Sequence, residues 1–282
     1  MPVPVGRLAP KDQWDQNLLD RLFANTLYPT GIDFKRFEGY PRGEGCVLII
    51  PGRYWHTKTA DISEALAKYR WVLGMRVGDE EDLFDIQAIN HPNIRWWVQT
   101  PMTDRDYDAR MLPLGFPPHF NHLVEQDRDT TVFLSAQNTH SRRQACFRQL
   151  GPLRGPKLVR ETEGFTQGLD PSEYAAWMCA AKVAPCPSGA VSPDSFRVYE
   201  ALEAHTIPIA DDGSPVYDST GYWRRLFPDA PFPILESWDQ LPGYVGDQLK
   251  AWPRNDITAW WIGTKRRIAR NLKADLEALG AL

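Results

Sequence analysis

Short apolar runs, closed by proline, glycine or a polar cluster, recur along this chain and alternate with segments of helical spacing. "GCVLIIPG" (45–52) is the first clear case and reads as a buried strand. The loop "RYWHTKTA" follows, then "DISEALAKYR" with helical periodicity, then the apolar runs "WVLGMRV" and "IRWWVQTP" (94–101). Strand–helix–strand order predicts parallel strands with helices on the sheet faces. The residues before about position 40 read as irregular, apart from one amphipathic helix in "KDQWDQNLLDRLFANTL".

"MLPLGFPPHF" (111–120) interrupts the pattern with three prolines and a glycine, and reads as a linker. A second series follows. "TTVFLSA" (130–136) predicts a strand, "QNTH" a loop and "SRRQACFRQL" (141–150) a helix. "PSEYAAWMCAA" (171–181) predicts a helix, "KVAPCP" a strand, "DSFRVYEALEA" a helix and "TIPIA" a strand. The tail "TAWWIGTKRRIARNLKADLEAL" has the spacing of a long, basic, amphipathic helix. The pattern therefore predicts an α/β protein of two Rossmann-like domains, residues 1–120 and 121–282, the second ending in the basic helix.

Composition narrows the function classes. A net charge of −4 over 282 residues argues against a general electrostatic grip on nucleic acid, though a local basic groove is compatible with it. Four cysteines without CxxC spacing read as reduced thiols. No apolar run approaches the roughly 20 residues that span a bilayer, and the first residues lack the apolar core of a signal peptide, so a cytoplasmic protein with no membrane span is expected. The eleven tryptophans are numerous; most should be core, and a few at a cleft would suit sugars or bases.

The stretch "CPSGAVSPDSFRVYEALEAHTIPIA" (186–210) carries the most chemistry. At about 100° per residue, Arg197 and Glu200 share one stripe of the helix, which should face outward while Val198, Tyr199 and Leu202 pack on the sheet. Asp194 and Ser195 stand at the helix start, where backbone N–H groups favour an anion. Two readings stay open on spacing alone: an i,i+3 surface pair, or a pocket for a phosphate together with a polyol.

The string Cys186-Pro187-Ser188-Gly189, then Ser195-x-Arg197-x-x-Glu200-Ala201-Leu202, then Ile207-Pro208-Ile209, resembles the donor segment of exostosin-like glycosyltransferases. The resemblance covers about 25 residues. It implies a GT-B-like fold, two Rossmann-like domains facing across a cleft, and a nucleotide-sugar site formed by Ser188, Gly189, Ser195, Arg197 and Glu200. The implied substrate is a nucleoside-diphosphate sugar, expected to be a UDP-sugar, with no resident cofactor or metal. Where that family usually has glycine before the strand, this chain has Ala204-His205-Thr206, so either the turn is built differently or His205 tolerates an unusual backbone conformation. Similar donor domains place a basic residue at the start of the helix matching 141–150, which points to Arg142 and Arg143 as diphosphate contacts.

Transfer to a hydroxyl needs a base. Two loops that follow predicted strands supply candidates: "PGRYWHTK" carries His56, and "TPMTDRDYD" carries Asp104 and Asp106 beside Asp108. The Asp-x-Asp spacing also resembles the metal motif of GT-A enzymes, a competing reading. Related retaining enzymes carry a glutamate at the position held here by Ser192, which favours inversion. His119 and His122 lack a third partner for a metal and read as linker. The expected activity is sugar transfer to a glycan, a protein or a hydroxylated nucleobase of phage-type DNA. The alternative is a non-catalytic protein that binds nucleotide sugar or nucleic acid.

Overall fold

Apolar runs 45–52, 71–77, 94–101, 130–136, 181–186 and 207–210 all form strands, and every strand pairing is parallel. The structure, a computed structural model, describes residues 2–11, 13–26, 28–101, 108–164, 167–216, 221–246, 249 and 253–282. The chain divides into two compact units, one of residues 1–114 with 263–282 and one of residues 115–262.

The first unit holds strands β1 (Val3–Arg7), β2 (Phe34–Glu38), β3 (Gly45–Pro51), β4 (Trp71–Val77), β5 (Ile94–Val98) and β6 (Ala109–Met111), in the order β2-β1-β3-β4-β5-β6. Helix α1 (Gln13–Asp20) connects β1 to β2, and α2 (Gly52–Trp55) and α3 (Thr59–Leu66) connect β3 to β4. One core cluster joins Cys46, Leu48 and Ile50 of β3 to Ile62 and Leu66 of α3, with Phe84, Trp96 and Val98. Two glycines make room for tryptophan on the neighbouring strand. Gly45 is in register with Trp71 and Gly74 with Trp96. A Cβ at either position would fall 2.1 Å and 2.3 Å from the indole. These parallel strands are buried on both faces, which is why they read as unbroken apolar runs.

The second unit holds β7 (Thr130–Gln137), β8 (Lys157–Thr162), β9 (Ala181–Cys186), β10 (Ile207–Asp211) and β11 (Ile234–Leu235), in the order β11-β10-β9-β7-β8. Its helices are α4 (Ser141–Leu150), α5 (Pro171–Ala180), α6 (Phe196–Glu203), α7 (Tyr222–Leu226) and α8 (Leu241–Val245). Helix α9 (Arg254–Ala278) gives residues 254–262 to this unit and its remainder to the first. An aromatic cluster of Tyr199, Trp223, Phe227, Phe232, Trp260 and Trp261, with ring centroids 5.3–6.4 Å apart, fills the space against α6.

Both sheets share one winding. Numbered from its own first strand, the first sheet runs 2-1-3-4-5-6 and the second 2-1-3-4-5, so the connections after the first and third strands leave toward opposite faces. Ligands of such sheets gather at that point, beyond the carboxyl ends of the strands. The switch falls between β1 and β3 in the first unit, and between β7 and β9 in the second.

Five strands lie outside the expected pattern: β1, β2, β6, β8 and β11. Four of them are the sheet edges. Edge strands are short, or carry exposed polar residues, and lose the apolar signature. β2 and β8 are largely exposed, and β6 and β11 have three and two residues. β1 is hidden in the sequence by Pro4 and Gly6. Among the described residues, no helix is long and apolar enough to cross a membrane. The four cysteines are unbridged and buried.

Candidate functional site

The second unit's switch point is built by two loops. One leaves β7 through Asn138, Thr139 and His140 into α4. The other leaves β9 through Pro187, Ser188 and Gly189 toward α6. Ser188 and Gly189 are buried. Arg143, in the first turn of α4, joins the loops by donating from Nε to the Ser188 carbonyl at 3.2 Å.

Arg142 turns to β10 and forms an ion pair with Asp211 while also donating to the Glu236 carbonyl at 3.0 Å. Asp211 is fully buried and accepts further hydrogen bonds from the Trp238 indole at 2.9 Å, the Gly213 N–H at 3.2 Å and the Ser188 N–H at 3.4 Å. Arg142 is therefore largely neutralised by the fold. Arg143 donates to two carbonyls of the loop junction, Ser188 at 3.2 Å and Gln137 at 3.5 Å.

Polar atoms accumulate here without hydrogen-bond partners. Both ring nitrogens of His140, Oγ of Ser188 and Oδ1 of Asn138 are enclosed and unpaired. Buried polar groups are ordinarily satisfied, so a concentration on two adjoining loops marks a place for a ligand or ordered water. His140 occupies the N-cap position of α4 with extended backbone. Burial, followed by the Arg143 charge, lowers its pKa below the ordinary 6.5, against the opposing pull of the Ser188 backbone and the Asp211 carboxylate. The Ser188 backbone approaches the imidazole without reaching hydrogen-bond geometry.

Helix α6 departs from the outward stripe expected for it. Glu200 is buried at 6% exposure and accepts from the Tyr174 hydroxyl of α5 at 2.7 Å. Burial, then the Glu200 charge, pushes the Tyr174 hydroxyl well above its ordinary range and keeps it a donor. Tyr174 is wedged edge-on against Phe133 and Phe120, with centroids 5.2 and 6.1 Å away. Arg197 is half-buried and donates to the Ser135 carbonyl of β7 at 2.7 Å, while its Nε is enclosed and unpaired. The surface-pair reading fails because α5 and the end of β7 cover this stripe.

The helix start is corrected as well. Ser195 is the N-cap of α6, but its side chain makes no capping bond. Asp194, fully buried, accepts from the Ser195 N–H at 3.0 Å and from the hydroxyls of Tyr199 at 2.9 Å and Tyr222 at 2.7 Å. The carboxylate at this helix start belongs to the protein itself.

Of the residues expected to act as base, His56 lies in the first unit, exposed, with Nδ1 2.8 Å from the Arg53 carbonyl. Asp104 and Asp106 lie outside the described residues. His119 packs edge-on at 6.4 Å from Tyr174, and burial lowers its pKa. Among the described residues, no group of three His, Cys, Asp or Glu has the arrangement of a metal site.

Sequence reasoning passed over His140, Asp211 and Tyr174. A signal existed for two of them. His140 is the last loop residue between an apolar strand and a helix, and Asp211 is an acid placed directly after the apolar run "TIPIA". Tyr174 had none, since its partner comes from 26 residues away.

No protein-family model matches this chain, and no curated protein matches it with significant sequence similarity.

Proposed function

We propose that this protein is a glycosyltransferase of the GT-B type that moves a sugar from a nucleoside-diphosphate sugar, a UDP-sugar by preference, to a hydroxyl acceptor with inversion. The observation that carries this reading is the position of the motif. The residues resembling an exostosin-like donor segment lie at the β7–β9 switch point, beside a cationic Arg143 and the unpaired polar atoms of His140 and Ser188.

In this reading the diphosphate lies over the two loops. Arg143 and the N–H groups at the start of α4 face it, and His140 donates to it as imidazolium. Arg142 acts indirectly, by fixing Asp211 and through it the Ser188 backbone. Arg197 and Glu200 shape the floor, with Glu200 placed to take a ribose or sugar hydroxyl. The acceptor proton goes to a base drawn from His56, Asp104 and Asp106, the residues expected from sequence.

A thermal-shift screen of nucleotide sugars tests this, because a ligand bound to the native state alone raises its stability by mass action. A UDP-sugar should raise the midpoint in wild type and fail to do so in Arg143→Ala, and product analysis should find the sugar on an added hydroxyl acceptor. If no nucleotide sugar stabilises the wild-type chain, the reading is wrong. If one does so without transfer or hydrolysis, the protein is a binding module.

A further inference from the structure

The first unit carries a cavity at its own switch point. It encloses about 310 Å³ between α1 and the carboxyl ends of β1, β2 and β3. Strand register explains its floor. Arg7 of β1 pairs with Glu38 of β2 and with Ile49 of β3, so these three residues form one row across the sheet. Residues in such a row project from the same face. Val5 stands behind Arg7 on that face, and Phe23 covers the cavity from the helical side.

Arg7 is the unusual member. It is only 5% exposed, and its NH2 donates to the buried carboxylate of Asp15 at 2.8 Å. Its Nε and NH1 have no acceptor. A buried guanidinium with idle donors is costly, because the desolvation of each unbonded N–H is not offset by a hydrogen bond. The backbone holds the residue in place: the Arg7 carbonyl accepts from the Gly39 N–H at 2.8 Å, and the next residue donates to the Ile49 carbonyl at 3.0 Å.

Charge balance selects the ligand class. Each cation around the cavity already has a carboxylate: Arg7 with Asp15 at 2.8 Å, Lys11 with Glu38 at 2.7 Å and Arg36 with Asp20 at 3.2 Å. Among the described residues that line it, no cation is left uncompensated for an anion. A neutral molecule rich in hydroxyls would find donors in Arg7 and Lys11, acceptors in Asp20 and Glu38, and an apolar wall for its C–H face in Val5 and Phe23. Small-molecule sites have this composition, an apolar lining with a few convergent polar groups.

We infer that this cavity binds a neutral polyhydroxylated ligand of the saccharide class, with Arg7 donating to its oxygens. This goes beyond the donor site proposed for the second unit and does not depend on it. The test is saturation-transfer NMR and calorimetry on the full chain without nucleotide. The probes are glucose, galactose, mannose, N-acetylglucosamine and lactose, with phosphate and citrate as charged controls. At least one saccharide should bind with a Kd of about 1 mM or tighter. Arg7→Lys, which keeps the ion pair and removes the forked donors, should weaken it about tenfold. Glu38→Gln changes an exposed side chain that leaves the fold intact, and should weaken binding several-fold even if Arg7→Lys does not fold. Binding of the anions alone, binding of no probe, or saccharide binding indifferent to Glu38→Gln would overturn the inference.

Discussion

The Tyr174 hydroxyl donates to the buried carboxylate of Glu200 across 2.7 Å, locking α5 to α6. An exposed i,i+3 pair would contribute a few tenths of a kcal/mol. A hydrogen bond to a buried charge is worth more, so Tyr174→Phe should cost about 1–3 kcal/mol in chemical denaturation. Glu200→Gln keeps an acceptor oxygen but loses the charge, and should cost about 1 kcal/mol. The double variant should fall short of the sum of the two. Additive losses would mean the two groups are not coupled. Under the proposed function, Glu200→Gln should also slow transfer by about 1.5–3 kcal/mol in activation terms.

The two arginines at the start of α4 should behave differently. Arg142→Ala strips the buried Asp211 of its cation and should lower stability by about 1–3 kcal/mol, with donor affinity falling only as a consequence. Arg143→Ala removes bonds to the Ser188 and Gln137 carbonyls and strands no buried carboxylate of β10, so it should cost less stability than Arg142→Ala. It should weaken UDP binding roughly ten- to a hundredfold, as expected for a lost charge-assisted contact. Calorimetry with UDP and thermal unfolding of both variants separate the two roles.

His140 should make stability and ligand affinity depend on pH in opposite directions. Its pKa is lowered in the fold, so the unfolded chain takes up the proton first. Stability is therefore full above the unfolded value of 6.5 and is lost as pH falls toward the folded value. His140→Gln should flatten that acid limb, leaving the part due to His119, whose pKa is lowered in the same sense. A bound phosphate favours the imidazolium, so UDP should bind more tightly from about pH 8 to about pH 6 and take up a proton. Arg142 and Arg143 oppose that uptake and Asp211 favours it. A pH-independent affinity would remove His140 from the site.

Asp275 anchors the end of α9 within the first unit. Its buried carboxylate accepts from the Trp97 indole at 2.9 Å and from Arg110 Nε at 2.6 Å. Arg110 and Arg95, which also pairs with Asp275 at 3.3 Å, are half exposed and contribute little, but the indole N–H is buried. Asp275→Ala should therefore destabilise by about 1–3 kcal/mol, and Asp275→Asn, which still offers an oxygen to the indole, by less. Denaturation midpoints of the two variants would show it; equal losses would assign the effect to charge rather than to the Trp97 bond.

The sequence alone determined every interior strand except β1, and with them the α/β class and parallel pairing, because strands buried on both faces are continuously apolar. It also flagged one point of backbone geometry: His205, standing where glycine was expected, has φ 55°. Tertiary structure decided the rest. The edge strands carry no apolar signature, so the winding of both sheets, and the switch points it creates, emerge only when the strands pair. The helical wheel placed Arg197 and Glu200 correctly on one stripe. A wheel does not say what packs on a stripe, and here α5 brings Tyr174 onto it. The same limit hid Asp211 and Arg7. Each is a single charged residue at the end of an apolar strand, and its role depends on carboxylates, carbonyls and N–H groups that only the folded chain brings within reach.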